Sequence, residues 1–458
     1  MRTHFTPNIT QLGHNIGRSI GVLSMSVLPG ELIPTQERAR RSGPARAPSV
    51  SVAAVLCAAS LALLLGVFQA FFRRPWSMLD LRIYLWSGGL VRHSDDPYLF
   101  TYLHTGLHFT YAPIAAGLFA GLALISAPAA KVLVTAASVA SLVGVLWLTW
   151  GKLGHARSTQ RVSATLLTAA VALWLEPVRQ TLSFGQVNLG LMLIIVADLC
   201  LADSRWWKGV GVGLASGIKL TPLIFIPYLV LTRRYRAAAV AAVTFGLTVA
   251  VSLVVMPAAA EDYWLDGLFL NVTRLGNLRQ VANQSLNGAL LRLLGNGAAA
   301  QPYRLASEAA VAIAGLLLAA WVSRHGQEMA GILICALTGL LVSPVSWTHH
   351  WVWIAPALVV LADLVTSPHW RSAGRRPRLR SWLGMTMVAA VLAVFSGVLW
   401  LMPTRAIAGY VMTAPQQLLG DLYVLAGLVS LSVIAVLMAH ARWRERVRSG
   451  LPAQATFG

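Results

Sequence analysis

The chain has 458 residues, of which 57% are apolar and only 11% charged, with a mean hydropathy of +0.66. Soluble domains carry about 25% charged residues, so a water-soluble enzyme is excluded, and one polytopic helical bundle replaces the roughly three domains that length alone suggests. The net charge of +20, from 36 basic and 16 acidic residues, would suggest nucleic acid in a soluble protein; in a membrane protein it marks topology.

Met1 to Ser49 is polar and rich in Arg, Pro and Ser, and reads as a mostly disordered cytoplasmic tail too long for the charged region of a signal peptide. Apolar stretches able to cross a bilayer about 30 Å thick follow at Val50–Phe72 (an uncleaved first span), Val132–Trp150, Val162–Leu175, Leu189–Leu201, Ala237–Met256, Leu305–Val322, Ala330–Val342, Trp351–Val365, Trp382–Met402 and Leu418–Ala439. Gly209–Leu231 is glycine-rich up to Lys219 and then carries Pro222, which predicts two short helices broken at Lys219 rather than one span with a buried cation. Basic residues assign the tail, the Lys152–Arg161 loop, Arg233–Arg236, Arg371–Arg380 and Arg442–Arg448 to the cytoplasm. These agree if Gly209–Leu231 crosses twice and Pro113–Ile125 does not fully cross, giving about twelve crossings with both termini inside. The expected organisation is thus all-α: a membrane domain over residues 50–440, with a large first extracytoplasmic loop, and a basic cytoplasmic tail over 441–458. Cys57, Cys200 and Cys335 lie in apolar runs without metal-ligand spacing and read as packing residues.

On that topology the polar clusters fall on the outer face. Asp80 lies between Leu79 and Leu81; a carboxylate in partly apolar surroundings suits a general base, and a helix cap or a partner for Arg82 would equally account for it. Glu176, Arg179, Gln186 and Asn188 gather amides and charges suited to hydroxyl-rich ligands or to helix capping. Ser343–Trp351 contains Trp347, His349 and His350; the histidines could hold a phosphate, donate a proton or bind a metal, although adjacent histidines project in different directions. Lys219 is a candidate point charge for a phosphate or a snorkelling lysine. Asn283 and Gln284 form a further polar cluster. Convergence on one face suggests a single site open to a lipid-linked substrate.

An Asp in the first outer loop, Thr110-Tyr111-Ala112-Pro113, Glu176-Pro177 with Gly185-Gln186-Val187-Asn188, Lys219-Leu220-Thr221-Pro222, and Ser343-Pro344-Val345-Ser346-Trp347-Thr348-His349-His350 together resemble the GT-C glycosyltransferases of family 87. Within that family the chain more closely resembles the actinobacterial polyprenyl-phosphate-mannose-dependent alpha-1,2-mannosyltransferases. Ala112 stands where the family usually has proline, and Leu286-Asn287 where the closer relatives have Trp-Arg, a difference that bears on acceptor recognition. The resemblance implies a GT-C fold and inverting transfer of mannose from a polyprenyl monophosphate to the 2-hydroxyl of a phosphatidylinositol mannoside, as its fifth mannose. Asp80 would be the base. Lys219, His349, His350 and Arg82 would hold the donor phosphate, and Tyr111, Glu176, Arg179, Gln186, Asn188, Asn283, Gln284 and Trp347 the sugars. Neither a metal nor a cofactor is expected, nor a nucleic-acid partner. A sister enzyme acting on lipomannan or lipoarabinomannan, or a lipid or sugar transporter, remains an alternative at this stage.

Overall fold

The computed structural model describes residues 49, 51–60, 77–103, 106–155, 158–366, 377–402 and 412–449. The expected tail before Ser49, the second half of the first span, Arg371 to Arg376 and residues 450–458 lie outside the described residues.

In chain order the helices are α1 (Ser51–Ser60), α2 (Leu79–Arg92), α3 (Pro113–Leu122), α4 (Ala127–Lys152), α5 (Ser158–Ala172), α6 (Glu176–Phe184), α7 (Asn188–Leu199), α8 (Val210–Ile218), α9 (Phe225–Leu231) and α10 (Tyr235–Val255). They continue with α11 (Pro257–Trp264), α12 (Leu286–Leu294), α13 (Gln301–Arg324), α14 (Glu328–Val342), α15 (Ile354–Thr366), α16 (Pro377–Val394), α17 (Ala414–Gly420) and α18 (Leu422–Ser449). Two short strands, β1 (Thr101–Tyr102) and β2 (Leu107–His108), pair antiparallel in the loop between α2 and α3.

Among the described residues five helical stretches are long and apolar enough to cross a membrane: Ala127–Lys152, Tyr235–Val255, Ala298–Arg324, Thr348–Thr366 and Leu422–His440. A sixth is reached if α5 and α6, bent by 78° at their junction, count as one span. The expectation of twelve crossings also counts shorter elements. At 1.5 Å per residue, α3 is about 15 Å long and α8 about 14 Å, half a bilayer or less. That α3 does not fully cross agrees with the sequence reading; the double crossing of Gly209–Leu231 does not follow from the lengths of α8 and α9.

The break itself lies where the sequence places it. Lys219 is extended (φ −145°, ψ 131°) and ends α8, and a 3-10 turn over Thr221–Ile224, opened by Pro222, leads into α9. The glycines explain how α8 is held. Gly209, Gly213 and Gly217 recur every fourth residue and so form one stripe along α8. A Cβ on them would overlap, respectively, the Ala237 carbonyl, the Ala241 carbonyl with Thr244, and Thr248, all on α10. Small residues thereby let the two helix backbones touch, the usual basis of helix association in lipid. At the opposite end of α8 from Lys219, the buried Asp198 carboxylate of α7 accepts the backbone N–H groups of Gly209 (2.8 Å) and Val212 (3.0 Å), capping free donors of the first turn. One face of α8 is fixed to α10 and its start to the last turn of α7, which places Lys219, at the other end of α8, against Asn188 at the start of α7.

Candidate functional site

Asp80 lies in the first turn of α2. The helix is entered through Met78 in the left-handed region (φ 45°), whose N–H donates to the Ser183 carbonyl of α6 at 2.9 Å. At the far end of α6, Gly185 is also left-handed (φ 67°), and a Cβ there would stand 2.7 Å from Leu81 Cβ. Only glycine allows this close approach without strain. It brings Gln186 onto Asp80: the amide Nε2 donates to Asp80 Oδ2 at 2.7 Å, while Gln186 Oε1 accepts from the Tyr111 hydroxyl at 2.8 Å. The Tyr111 and Tyr84 hydroxyls are 2.8 Å apart, and Tyr84 stacks on Phe119 with ring centroids at 4.2 Å. Burial pushes the Asp80 carboxyl up to about 6, and the Gln186 hydrogen bond and the Lys219 charge, both of which favour the anion, offset this only in part. The group is therefore mostly ionised at neutral pH and basic enough to take a proton.

Tyr111 joins this end of the site to a second one. Its ring centroid lies 5.5 Å from Lys219 Nζ. Lys219 Nζ donates to Asn188 Oδ1 at 2.9 Å and lies 3.1 Å from His350 Nε2. Asn188 Nδ2 and Thr181 Oγ1 both donate to the His349 carbonyl, at 2.8 and 3.0 Å, and so fix the 3-10 turn Thr348–Trp353 against α6 and α7. The two histidine rings meet edge to face at 4.8 Å. His350 lines a groove together with the polar residues Asn188, Lys219 and Ser346 and the apolar residues Met192, Ile195, Phe225 and Leu340. His349 is buried against Phe184 and its Nε2 has no partner among the described residues.

The structure therefore gathers Asp80, Gln186, Tyr111, Asn188, Lys219, His349 and His350, and it places the other predicted residues differently. Glu176, 1% exposed, accepts from the Trp400 indole (2.8 Å) and the Tyr423 hydroxyl (2.9 Å), which ties the start of α6 to α18. Arg179 donates to the Ser396 carbonyl at 2.7 Å. Asn283 Oδ1 accepts the Ser346 N–H at 3.0 Å and its Nδ2 donates to the Leu278 carbonyl at 3.0 Å. Gln284 Nε2 donates to the Val281 and Gly420 carbonyls, and its Oε1 accepts the Tyr423 N–H at 3.1 Å. Glu176, Asn283 and Gln284 are thus fully buried and hydrogen-bonded to the protein framework. Trp347 caps the 3-10 turn and forms an isolated bridge with Asn283. Arg82 is exposed, and two residues beyond Asp80 it lies about 200° around α2 from it.

Tyr84, Thr181, Ser346, Trp400 and Tyr423 were not among the sequence candidates. Their roles rest on partners far along the chain, and nothing in their local spacing signals those contacts. Among the described residues no three of His, Cys, Asp or Glu gather around a common point. What the arrangement offers chemically is a carboxylate base, a cation with amide and imidazole neighbours, and a largely apolar groove that the cation lines.

A family model described as Glycosyltransferase family 87 matches residues 109–344. The chain is 35% identical over 401 residues to the Polyprenol-phosphate-mannose-dependent alpha-(1-2)-phosphatidylinositol pentamannoside mannosyltransferase of Mycobacterium tuberculosis (strain CDC 1551 / Oshkosh), across 84% of this chain and 89% of that protein. To the protein of the same description from Mycolicibacterium smegmatis it is 33% identical over 395 residues, 82% of this chain and 91% of that protein. The Polyprenol-phosphate-mannose-dependent alpha-(1-2)-phosphatidylinositol mannoside mannosyltransferase of Mycobacterium tuberculosis (strain ATCC 25618 / H37Rv) is 31% identical over 325 residues, 67% of this chain and 75% of that protein. No solved structure matches. Shared sequence over most of its length, together with a many-helix membrane architecture, makes this chain a member of glycosyltransferase family 87.

Proposed function

We propose that the protein is an inverting, polyprenyl-phosphate-mannose-dependent alpha-1,2-mannosyltransferase that adds the fifth mannose to a phosphatidylinositol mannoside at the outer face of the plasma membrane, with both termini cytoplasmic. The observation that carries this reading is the placement of Asp80 and Lys219 on either side of Tyr111. One end holds a base, the other a cation at the head of an apolar groove, and a lipid-phosphate sugar presents the matching parts in the same order. The relatives' descriptions name the same donor and an acceptor of the same class.

In this reading the polyprenyl chain lies in the groove walled by Met192, Ile195, Phe225 and Leu340, and its phosphate meets Lys219 and the histidine turn. Asp80 accepts the proton of the acceptor 2-hydroxyl as that oxygen forms a bond to C1 of the mannose. The C1–oxygen bond to phosphate breaks on the opposite face, and its electron pair stays on the phosphate oxygen. Attack from the far side converts a beta-linked donor into an alpha-linked product. The leaving group is a phosphate monoester, already a stable anion, so cationic and hydrogen-bonding donors suffice and the reaction requires neither an acid catalyst nor a metal. Gln186 holds the Asp80 carboxylate in place, and Asn188 holds Lys219. Leu286 is buried and Asn287 donates to the Pro344 carbonyl at 3.2 Å, beside the turn that carries Trp347.

The test is an assay of the purified protein with polyprenyl-phosphate-mannose and a panel of phosphatidylinositol mannosides and lipomannans. One alpha-1,2-linked mannose added to the four-mannose acceptor is expected. Transfer only to lipomannan would replace the acceptor assignment, and no transfer to any member would remove the function.

A further inference from the structure

Ser346 sits in the loop between α14 and the Thr348–Trp353 turn, and it is 1% exposed. Both of its backbone groups are tied: its N–H donates to Asn283 Oδ1 at 3.0 Å, and its carbonyl accepts the Gln284 N–H at 2.7 Å. With the main chain held on both sides, the direction of the side chain is set by the fold. Yet Ser346 Oγ has no hydrogen-bond partner among the described residues, although its atom is buried. Buried hydroxyls in folded proteins are almost always paired, and an unpaired one is a group kept for a ligand or a water. The residue lines the same groove as Asn188, Lys219 and His350. The framework segment Asn283–Gln284 thereby acquires a purpose, because the Asn283 side chain and the Gln284 backbone N–H fix a buried groove hydroxyl that has no partner among the described residues.

We propose that the Ser346 hydroxyl donates a hydrogen bond to the phosphate of the lipid-linked donor, beside Lys219. This assignment rests on the donor proposed above. When the C1–oxygen bond breaks, the phosphate diester monoanion becomes a monoester that carries the electron pair as additional negative charge. A neutral O–H donor aimed at that group gains strength as the charge grows, and it supplies direction where the lysine supplies a point charge. The hydroxyl does not change its own protonation state, so Ser346 acts as a binding residue and transfers no proton.

The experiment measures equilibrium binding of a polyprenyl phosphate and of the unphosphorylated polyprenol of the same length to the full-length protein, as wild type and as Ser346→Ala, together with transfer kinetics and melting temperature. Loss of a hydrogen bond to a charged group is expected to weaken polyprenyl phosphate binding about ten-fold or more, leave polyprenol binding unchanged, and lower kcat/KM for the donor at least as much. The variant is expected to melt no lower than wild type, since an unpaired buried hydroxyl is removed. Equal binding of polyprenyl phosphate by wild type and variant would overturn the assignment, as would equal weakening for both lipids or a lowered melting temperature, each of which marks a purely structural serine. A wild-type protein that does not prefer polyprenyl phosphate over polyprenol would instead overturn the donor reading, and this assignment with it.

Discussion

Gln186 donates to Asp80 at 2.7 Å across 106 residues of chain, and through its other amide atom it accepts from Tyr111, whose ring faces Lys219. One amide thus orients the base, and one tyrosine links the base to the cation. If Asp80 is the base, Asp80→Asn should abolish transfer. The carboxyl is raised to about 6 in the fold from an ordinary 3.8. A carboxyl raised in this way contributes stability below its unfolded pKa and loses it as pH rises through the folded value. Asn cannot ionise, so above pH 6 the variant should melt at or above the wild-type temperature. Wild-type turnover by Asp80→Asn in a donor-saturated assay would remove the base.

The pH dependence of transfer follows from the same shift. Activity should fall as pH drops through about 6, because protonated Asp80 cannot take the acceptor's proton. Gln186 and Lys219 both hold the carboxyl lower than burial alone would. Gln186→Leu and Lys219→Met should therefore each move the acid limb to higher pH. A limb that stays in place in both variants would show that another group limits the rate.

Lys219→Ala should raise the donor KM at least ten-fold and also lower kcat, since a hydrogen bond between charged groups is worth about 1.5–3 kcal/mol and leaving-group charge grows in the transition state. The acceptor KM should change little. Steady-state kinetics with each substrate varied in turn would check this, and an unchanged donor KM and kcat would take Lys219 out of the site.

Packing of α8 on α10 gives a test that is independent of chemistry. Gly213→Val should destabilise the protein by about 1–3 kcal/mol, because its Cβ would stand 2.5 Å from the Ala241 carbonyl oxygen. Gly246→Ala on α10, where a Cβ meets nothing within 4 Å, should instead stabilise by about 0.5–1 kcal/mol. Thermal melts of the two variants in detergent should move in opposite directions.

Arg292 on α12 pairs with Asp421, between α17 and α18, and also donates to the Gln280 carbonyl at 2.7 Å and the Asn283 carbonyl at 2.9 Å. Both ends of the pair are buried. Arg292→Met should cost about 3–5 kcal/mol by leaving Asp421 charged and unpaired. The double variant Arg292→Met with Asp421→Leu should recover much of that loss, which a double-mutant cycle of melting temperatures would measure.

The sequence by itself determined that the protein belongs in a membrane, that its chain breaks at Lys219, and that Asp80, Gln186, Asn188 and His349-His350 were worth singling out. Each of these depends on composition or on residues close together in the chain: the apolar runs, Pro222 after a glycine-rich stretch, the Gly-Gln-x-Asn run at the end of α6. Which polar residues are free to meet a ligand was settled only by tertiary structure. Glu176 and Gln284 look as available in the sequence as Gln186 does, yet Trp400, Tyr423 and Gly420, 136 to 247 positions away, tie them into the framework, whereas the distant partners of Gln186 are Asp80 and Tyr111 of the site itself. Ser346 shows the converse, a loop serine whose buried hydroxyl has no partner among the described residues. Chain-local spacing reports what a side chain can do, whereas hydrogen-bond saturation depends on which distant segments the packing of α7, α8 and α18 brings beside it, and this decides which polar groups remain for a ligand.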